Sequence, residues 1–325
     1  MKRKAITTLG WLISAILIAT LFAKLDLRTI WHGLTSAKWN YLIAASILNL
    51  GVVVIKAVRW QWLMSPQKRT HFWNIFKATM IGMAGNNVLP ARGGDLLKIY
   101  LLCKWEKVSK TVLASIIGLD KLFEGLTILI LFGIMSMHST FPEWVQKGTL
   151  IISILMTVML AISILLLIHH RKTVSQLEDE LGKFSRIAKK LGSGLSALAN
   201  YRIGIATLFL SVIICAIQIV VIWLCQEAFG QHLDLWVPAL VYVAINLAII
   251  VPSAPSGIGP FETAAVLAYS WLGITAEMGF DIAIMYHLIQ LIPITIIGFI
   301  MYIRSTKRTK LSKIEKVEGM LMEGE

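Results

Sequence analysis

Three groups of residues have types and spacings suited to chemistry beside an apolar environment. The first is Asn86-Asn87-Val88-Leu89-Pro90-Ala91-Arg92-Gly93-Gly94-Asp95, with Lys98 about one helical turn further on. Pro90 ends a preceding helix, and the two glycines permit a tight backbone path. Asp95 is placed to cap the next helix. Arg92 presents a rigid guanidinium fork suited to a phosphate. Exposed N–H groups at a new helix start would add to that attraction. Asn86, Arg92, Asp95 and Lys98 therefore form a candidate lipid-phosphate site. The competing reading is a loop with an ordinary Arg92–Asp95 pair.

The second group is Pro252-Ser253-Ala254-Pro255-Ser256-Gly257-Ile258-Gly259-Pro260-Phe261-Glu262. Gly259 and Pro260 fit the cap and first position of a helix. Glu262 then falls in the first turn, where the helix dipole favours an acid. That alone is a sufficient structural role. Its place beside apolar runs also makes Glu262 a functional candidate, with the Pro255–Gly257–Gly259 turn lining a path. The third group is Asp120, Lys121 and Glu124. Asp120 and Glu124 are one turn apart and face the same way, and Lys121 is three residues from Glu124 and able to neutralise it. The group is either an internally paired cluster that orients its helix, or a crowded carboxyl pair that exchanges protons and couples them to transport. His287 and Gln290 share one face of the last apolar segment, with Pro293 beyond. A lone histidine there is more often a packing residue with one hydrogen bond than a ligand. Arg59, in Arg59-Trp60-Gln61-Trp62, is expected to anchor a helix at the interface with Trp60 and Trp62.

Other chemistries lack their residues. His169–His170 is too little for a metal site, and no His-Glu-x-x-His or Cys–His spacing occurs. Neither a phosphate-binding G-x-x-x-x-G-K loop nor a G-x-S-x-G elbow is present. No cofactor or metal is expected. Cys103, Cys215 and Cys225 are an odd set in or near apolar runs, and read as small buried hydrophobes rather than a disulfide framework.

The elements that must position these groups are apolar. The 325-residue chain is 57% hydrophobic and 15% charged, against about 25% charged in soluble domains. Ile6–Ala23, Tyr41–Ile55, Thr111–Met137, Thr149–Ile168, Ile203–Cys225, Trp236–Val251 and Ile282–Ile303 approach or exceed the roughly 20 residues that span a bilayer. Only helices satisfy their backbone within such a segment. The net charge of +13 lies in short blocks between the runs, as the positive-inside rule places cytoplasmic loops. That distribution argues against a nucleic-acid partner. The basic, then apolar, N-terminus is read as a retained first helix rather than a signal peptide.

Two apolar stretches are short and broken by proline and glycine. Asn74–Leu89 and Leu96–Lys110 flank the first break; Trp236–Val251 and Thr263–Leu272 flank the second. The charge pattern makes each pair a hairpin that returns to its own side. The fold expected is an all-α polytopic membrane protein with about six full transmembrane helices plus two opposed re-entrant hairpins. Eight transmembrane helices is the alternative. Residues 1–303 would form one multi-pass domain and residues 304–325 a basic cytoplasmic tail along anionic headgroups. Both termini would be cytoplasmic, in the cell membrane.

With those motifs in place, NNVLPARGGDLLKIYLL resembles the first signature of the lysylphosphatidylglycerol synthase transmembrane-region family, also called flippase-like membrane proteins. LDKLFEGL is similar to the family's charged motif, PSAPSGIGPFE to its second signature, and YHLIQLIPITIIGF to its last-helix pattern. The resemblance covers nearly the whole chain. Ser256 departs from it by replacing the first glycine of the usual pair, and His287 stands where many relatives carry a different polar residue. The resemblance implies translocation of an anionic phospholipid, an aminoacylated phospholipid or a polyprenyl-phosphate-linked headgroup between leaflets. Arg92 and Lys98 would hold phosphate, Glu262 would line the outer half of the path, and Asp120, Lys121 and Glu124 would bridge them. Without a soluble synthase domain in this sequence, lysyl transfer is not expected. The rival readings are a membrane-embedded headgroup transferase and a non-catalytic partner of a separate glycosyl- or aminoacyltransferase. Expected partners are the lipid substrate and the membrane, with a homodimer or a separate lipid-modifying enzyme also considered.

Overall fold

The computed structural model describes residues 35–89, 93–137, 141, 143–174, 191, 194, 195, 197, 200–250 and 254–322. The expected first span, Ile6–Ala23, lies outside them, as do Pro90, Arg92, Pro252 and Ser253. Among the described residues the regular elements are all helical. They are α1 (Trp39–Met64), α2 (Phe72–Val88), α3 (Gly93–Glu106), α4 (Lys110–Ser136), α5 (Glu143–Val174), α6 (Tyr201–Ala228), α7 (Trp236–Ala248), a 3-10 turn (Pro255–Gly257), α8 (Pro260–Trp271) and α9 (Ala276–Met322).

Helix length sorts these elements into two kinds. Trp39–Met64, Glu143–Ser163, Tyr201–Ala228 and Ala276–Thr306 are long and apolar enough to cross a membrane. At 27 residues α4 is also long enough, although Asp120, Lys121 and Glu124 lie within it. By contrast α2, α3, α7 and α8 have 17, 14, 13 and 12 residues. At about 1.5 Å per residue each falls short of a hydrocarbon core of roughly 30 Å. α2 packs on α3, and α7 on α8. Short helices in packed pairs match the two hairpins read from the charge pattern, and their lengths favour re-entry over full crossing. The chain is an all-α polytopic membrane protein.

Local chemistry explains where the hairpins break. Leu89 leaves the helix with φ −90° and ψ 137°, the extended conformation that a following proline imposes. The return helix then sits very close to α2. A Cβ on Gly94 would lie 1.9 Å from the Gly82 carbonyl oxygen, and one on Gly85 would lie 2.8 Å from the Gly94 Cα. Small residues at such crossings let helices gain contact where lipid gives no hydrophobic drive to associate. Each hairpin has its own core. Trp60, Leu63, Ile75, Leu102, Leu113 and Leu119 pack around the first. Leu240, Val241, Ala265, Tyr269 and Ile282 pack around the second. Large apolar side chains on α5 and α6, such as Leu150, Ile154, Ile205 and Phe209, remain exposed to lipid.

Pro293 sits inside α9 and has no N–H to give the Ile289 carbonyl one turn back. Asn49 on α1 supplies the missing donor, its Nδ2 lying 3.1 Å from that oxygen. Gln218 on α6 donates to Asn49 Oδ1 at 3.1 Å, and the Tyr286 hydroxyl donates to Gln218 Oε1 at 2.9 Å. One proline thus explains a buried polar chain joining α1, α6 and α9. Asn49→Leu is expected to destabilise the protein by about 1–3 kcal/mol, because the Ile289 carbonyl and the Gln218 amide both lose a partner. Unfolding titrations with a denaturing detergent read this directly; wild-type stability would contradict it.

Candidate functional site

Three helices meet around Arg59, whose side chain is 0% exposed. Its Nη2 lies 2.7 Å from Asp120 Oδ1 and 2.9 Å from Glu124 Oε1, both on α4. Its Nη1 donates to Ser211 Oγ on α6 at 2.8 Å. Lys56 approaches Glu124 Oε1 at 3.4 Å, and Lys121 donates to Glu124 Oε2 at 2.8 Å. Arg59 is therefore no interface anchor, contrary to the expectation from its tryptophan neighbours. Trp60 is buried with it, and of the three only Trp62, 43% exposed, faces outward. Arg59 turns to α4, while Trp62, three residues on and about 60° round the helix, lies on its exposed side. The signal that could have found this is the carboxylate pair itself: two acids one turn apart on an apolar helix need more than Lys121. Arg59 between them supplies the countercharge that Lys121 alone does not.

Lys98 on α3 is 6% exposed. Its ammonium lies over the Trp60 ring, 3.3 Å from the centroid. Among the described residues no carboxylate stands within ion-pair distance of it. Lys56, Arg59, Lys98 and Lys121 outnumber Asp120 and Glu124, and remain in excess when Asp95 is included. Lys98 thus joins the Arg59 cluster through Trp60, a link with no signal in the linear sequence.

At the tip of the first hairpin, Asn86 Nδ2 donates to Asp95 Oδ1 at 3.0 Å, and the Asp95 N–H donates to Asn86 Oδ1 at 3.1 Å. Asp95 is not the cap residue expected: α3 already begins at Gly93, so Asp95 sits in its first turn. Asn86 does the capping, reaching across from α2. The expected Arg92–Asp95 pair falls outside the described residues. Asn87, which sequence reasoning passed over, donates to Thr295 Oγ1 at 2.9 Å and to the Leu291 carbonyl at 3.4 Å.

The second hairpin turns through Pro255–Gly257 and restarts at Gly259. Gly257 and Gly259 have φ of +81° and +98°, a region open to glycine. Ser256 shares it at φ +63°, which explains why the resemblance puts glycine at this position. Glu262 falls in the first turn as expected, and its Oε2 also accepts the Gly259 N–H at 2.7 Å, a capping hydrogen bond beyond the dipole role expected of it. Its other oxygen, Oε1, meets His287 Nδ1 at 2.5 Å, and Phe261 stacks on the imidazole with centroids 4.1 Å apart. Glu262 and His287 are both buried. Gln290 is half-buried.

The hairpins meet each other directly. Ser256 donates to Asn87 Oδ1 at 3.2 Å. Among the described residues this contact, with Thr295, links the two hairpins, and Asp120, Lys121 and Glu124 make their ion pairs with Arg59, Lys56 and one another. On α9, His287, Leu291 and Thr295 recur every four residues, so one helix face carries both the Glu262 partner and the Asn87 partners. Among the described residues no three His, Cys, Asp or Glu side chains converge as a metal site.

Short broken helices held against long apolar ones, with buried charges between them, define a multi-pass protein built around interrupted hairpins. The chain belongs to the family described as lysylphosphatidylglycerol synthase TM region, whose model matches residues 7–298. A UPF0104 membrane protein of Methanocaldococcus jannaschii is 23% identical over 312 residues, covering 90% of this chain and 93% of the relative. A UPF0104 membrane protein of Methanothermobacter thermautotrophicus is 24% identical over 315 residues, covering 88% and 91%.

Proposed function

We propose that the protein moves a lipid with an anionic, phosphate-bearing headgroup between leaflets. Candidates are an anionic phospholipid, an aminoacylated phospholipid or a polyprenyl-phosphate-linked headgroup. The observation that carries this reading is the buried Lys98 ammonium. It rests on Trp60 inside a cluster where cations exceed carboxylates. A cation at membrane depth costs several kcal/mol, and an aromatic face returns about 2 kcal/mol when desolvated. A phosphate oxygen would give this ammonium the anionic acceptor it lacks among the described residues. Two interrupted hairpins that meet through Asn87 and Ser256 support the same reading, because discontinuous helices in opposed halves surround transporter binding sites. Membership of a family described by a lipid-modifying synthase is consistent with a lipid substrate.

Lys98→Gln in proteoliposomes tests the proposal. With labelled lipids of several headgroups, the variant is expected to move the preferred anionic lipid about 10-fold to 100-fold more slowly, the loss of one charge-assisted hydrogen bond. Folded protein should be present in equal amount. Equal rates for wild type and variant would remove Lys98 from the path.

A further inference from the structure

The two hairpins are joined to each other by a few neutral hydrogen bonds. Asn87 uses both ends of its amide there: the oxygen accepts from Ser256, and the nitrogen donates to Thr295 Oγ1 and toward the Leu291 carbonyl. One side chain thus joins α2, the 3-10 turn and α9. These contacts differ in kind from those on either side. Around Arg59 the bonds are charge-assisted and reach three helices, and beyond the tip Glu262 is held by His287 and by its own cap. Neutral hydrogen bonds are the weaker kind and part first.

The partner of Asn87 also sits on a segment with an uncommon backbone conformation. Ser256 occupies the left-handed region without being glycine, and Gly257 and Gly259 follow it at positive φ. Such a residue persists only where its surroundings over-determine it, and these conformations gather at switch points. The hydroxyl that Ser256 gives to Asn87 is the one thing a glycine there would lack. The Asn86–Asp95 pair lies within the first hairpin, so separating the tips leaves it intact.

We propose that Asn87 is a latch: its bonds to Ser256 and Thr295 hold the two hairpin tips together and shut the route between the Lys98 side and the Glu262 side. The proposal rests on the transport reading above for its purpose, and on the tip geometry for its existence. Asn87 acts as a positioning residue and holds no headgroup itself.

A cysteine reporter tests the latch without transport. Ala254 is buried beside the tip, at 4% exposure. In an Ala254→Cys protein with Cys103, Cys215 and Cys225 changed to alanine, Asn87→Ala should raise the reaction rate with a water-soluble maleimide. The expected rise is about fivefold to tenfold, the opening gained by losing a neutral hydrogen bond. Thr295→Val should give a smaller rise. Asn246→Ala should give none, since that amide bonds the Tyr242 carbonyl within α7. Equal rates for Asn87 and Asn87→Ala would overturn the latch. The second measurement joins Asn87→Cys to Ser256→Cys with a short, cleavable bis-thiol reagent. Lipid movement should stop on joining and resume on cleavage, and movement that continues in the joined protein would also overturn the proposal. If the unjoined protein moves no lipid at all, the transport reading fails, and the maleimide rates alone decide the latch.

Discussion

Arg59→Met is expected to destabilise the protein by about 3–5 kcal/mol, the usual consequence of removing one partner from a buried ion pair. Arg59 is fully buried and stands between Asp120 and Glu124. Glu124 would retain Lys56 and Lys121, so the loss concentrates on Asp120. The physical cause is an uncompensated carboxylate in an apolar interior, not the absence of an attractive contact. That distinction makes the test specific. Arg59→Met combined with Asp120→Leu leaves no orphan charge and should recover most of the stability, as replacement of whole buried pairs often does. Detergent-induced unfolding of the single and double variants would measure both. A single variant within about 1 kcal/mol of wild type would mean that water reaches the cluster freely and that its charges need no partners.

Gly94→Ala is expected to be as damaging, through shape rather than charge. The added Cβ would stand 1.9 Å from the Gly82 carbonyl oxygen and 2.7 Å from the Gly85 carbonyl carbon. Those are backbone atoms, so no side chain can swing aside, and the hairpin must open. Overpacking costs about 1–3 kcal/mol where neighbours can shift, and the upper end or beyond is expected here. The displaced α3 would also carry Lys98 off Trp60, so lipid movement should fall with stability. Gly118→Ala on α4 is the matched control: its Cβ would meet nothing within 4 Å. There the substitution should be neutral or stabilising by up to about 1 kcal/mol, the helix preference of alanine over glycine. Equal thermal stability for the two variants would show that α2 and α3 do not pack through Gly94.

Much of the architecture was legible before any coordinates because it rests on local chemistry. An apolar run either reaches the length of a bilayer or does not. A proline ends a helix through its missing N–H wherever the helix lies. Thr111–Met137 and Lys110–Ser136 describe the same helix within a residue. Ile203–Cys225 likewise lies inside Tyr201–Ala228. The breaks at Leu89–Gly93 and Pro255–Gly259, and a helix start with Gly259 as cap and Glu262 in the first turn, come from the same kind of evidence. The bound expected at Ile55 failed for an instructive reason. Lys56 and Arg59 look like the end of a span, yet α1 continues to Met64 because carboxylates on α4 take up their charge.

Sequence alone thus determined an all-helical membrane protein, the length of its apolar segments, the two interruptions and the residues able to carry charge into the bilayer. Which of these residues meet was decided only by the tertiary structure. Asn87 and Ser256 are 169 positions apart, and Arg59 and Glu124 are 65 apart. A helix that is apolar all round has no polar stripe to announce which face turns inward. In lipid that choice falls to close packing of small residues and to the pairing of polar groups across helices. Gly94 against Gly82, Lys98 over Trp60 and Asn87 between two hairpins are properties of the assembled chain for that reason.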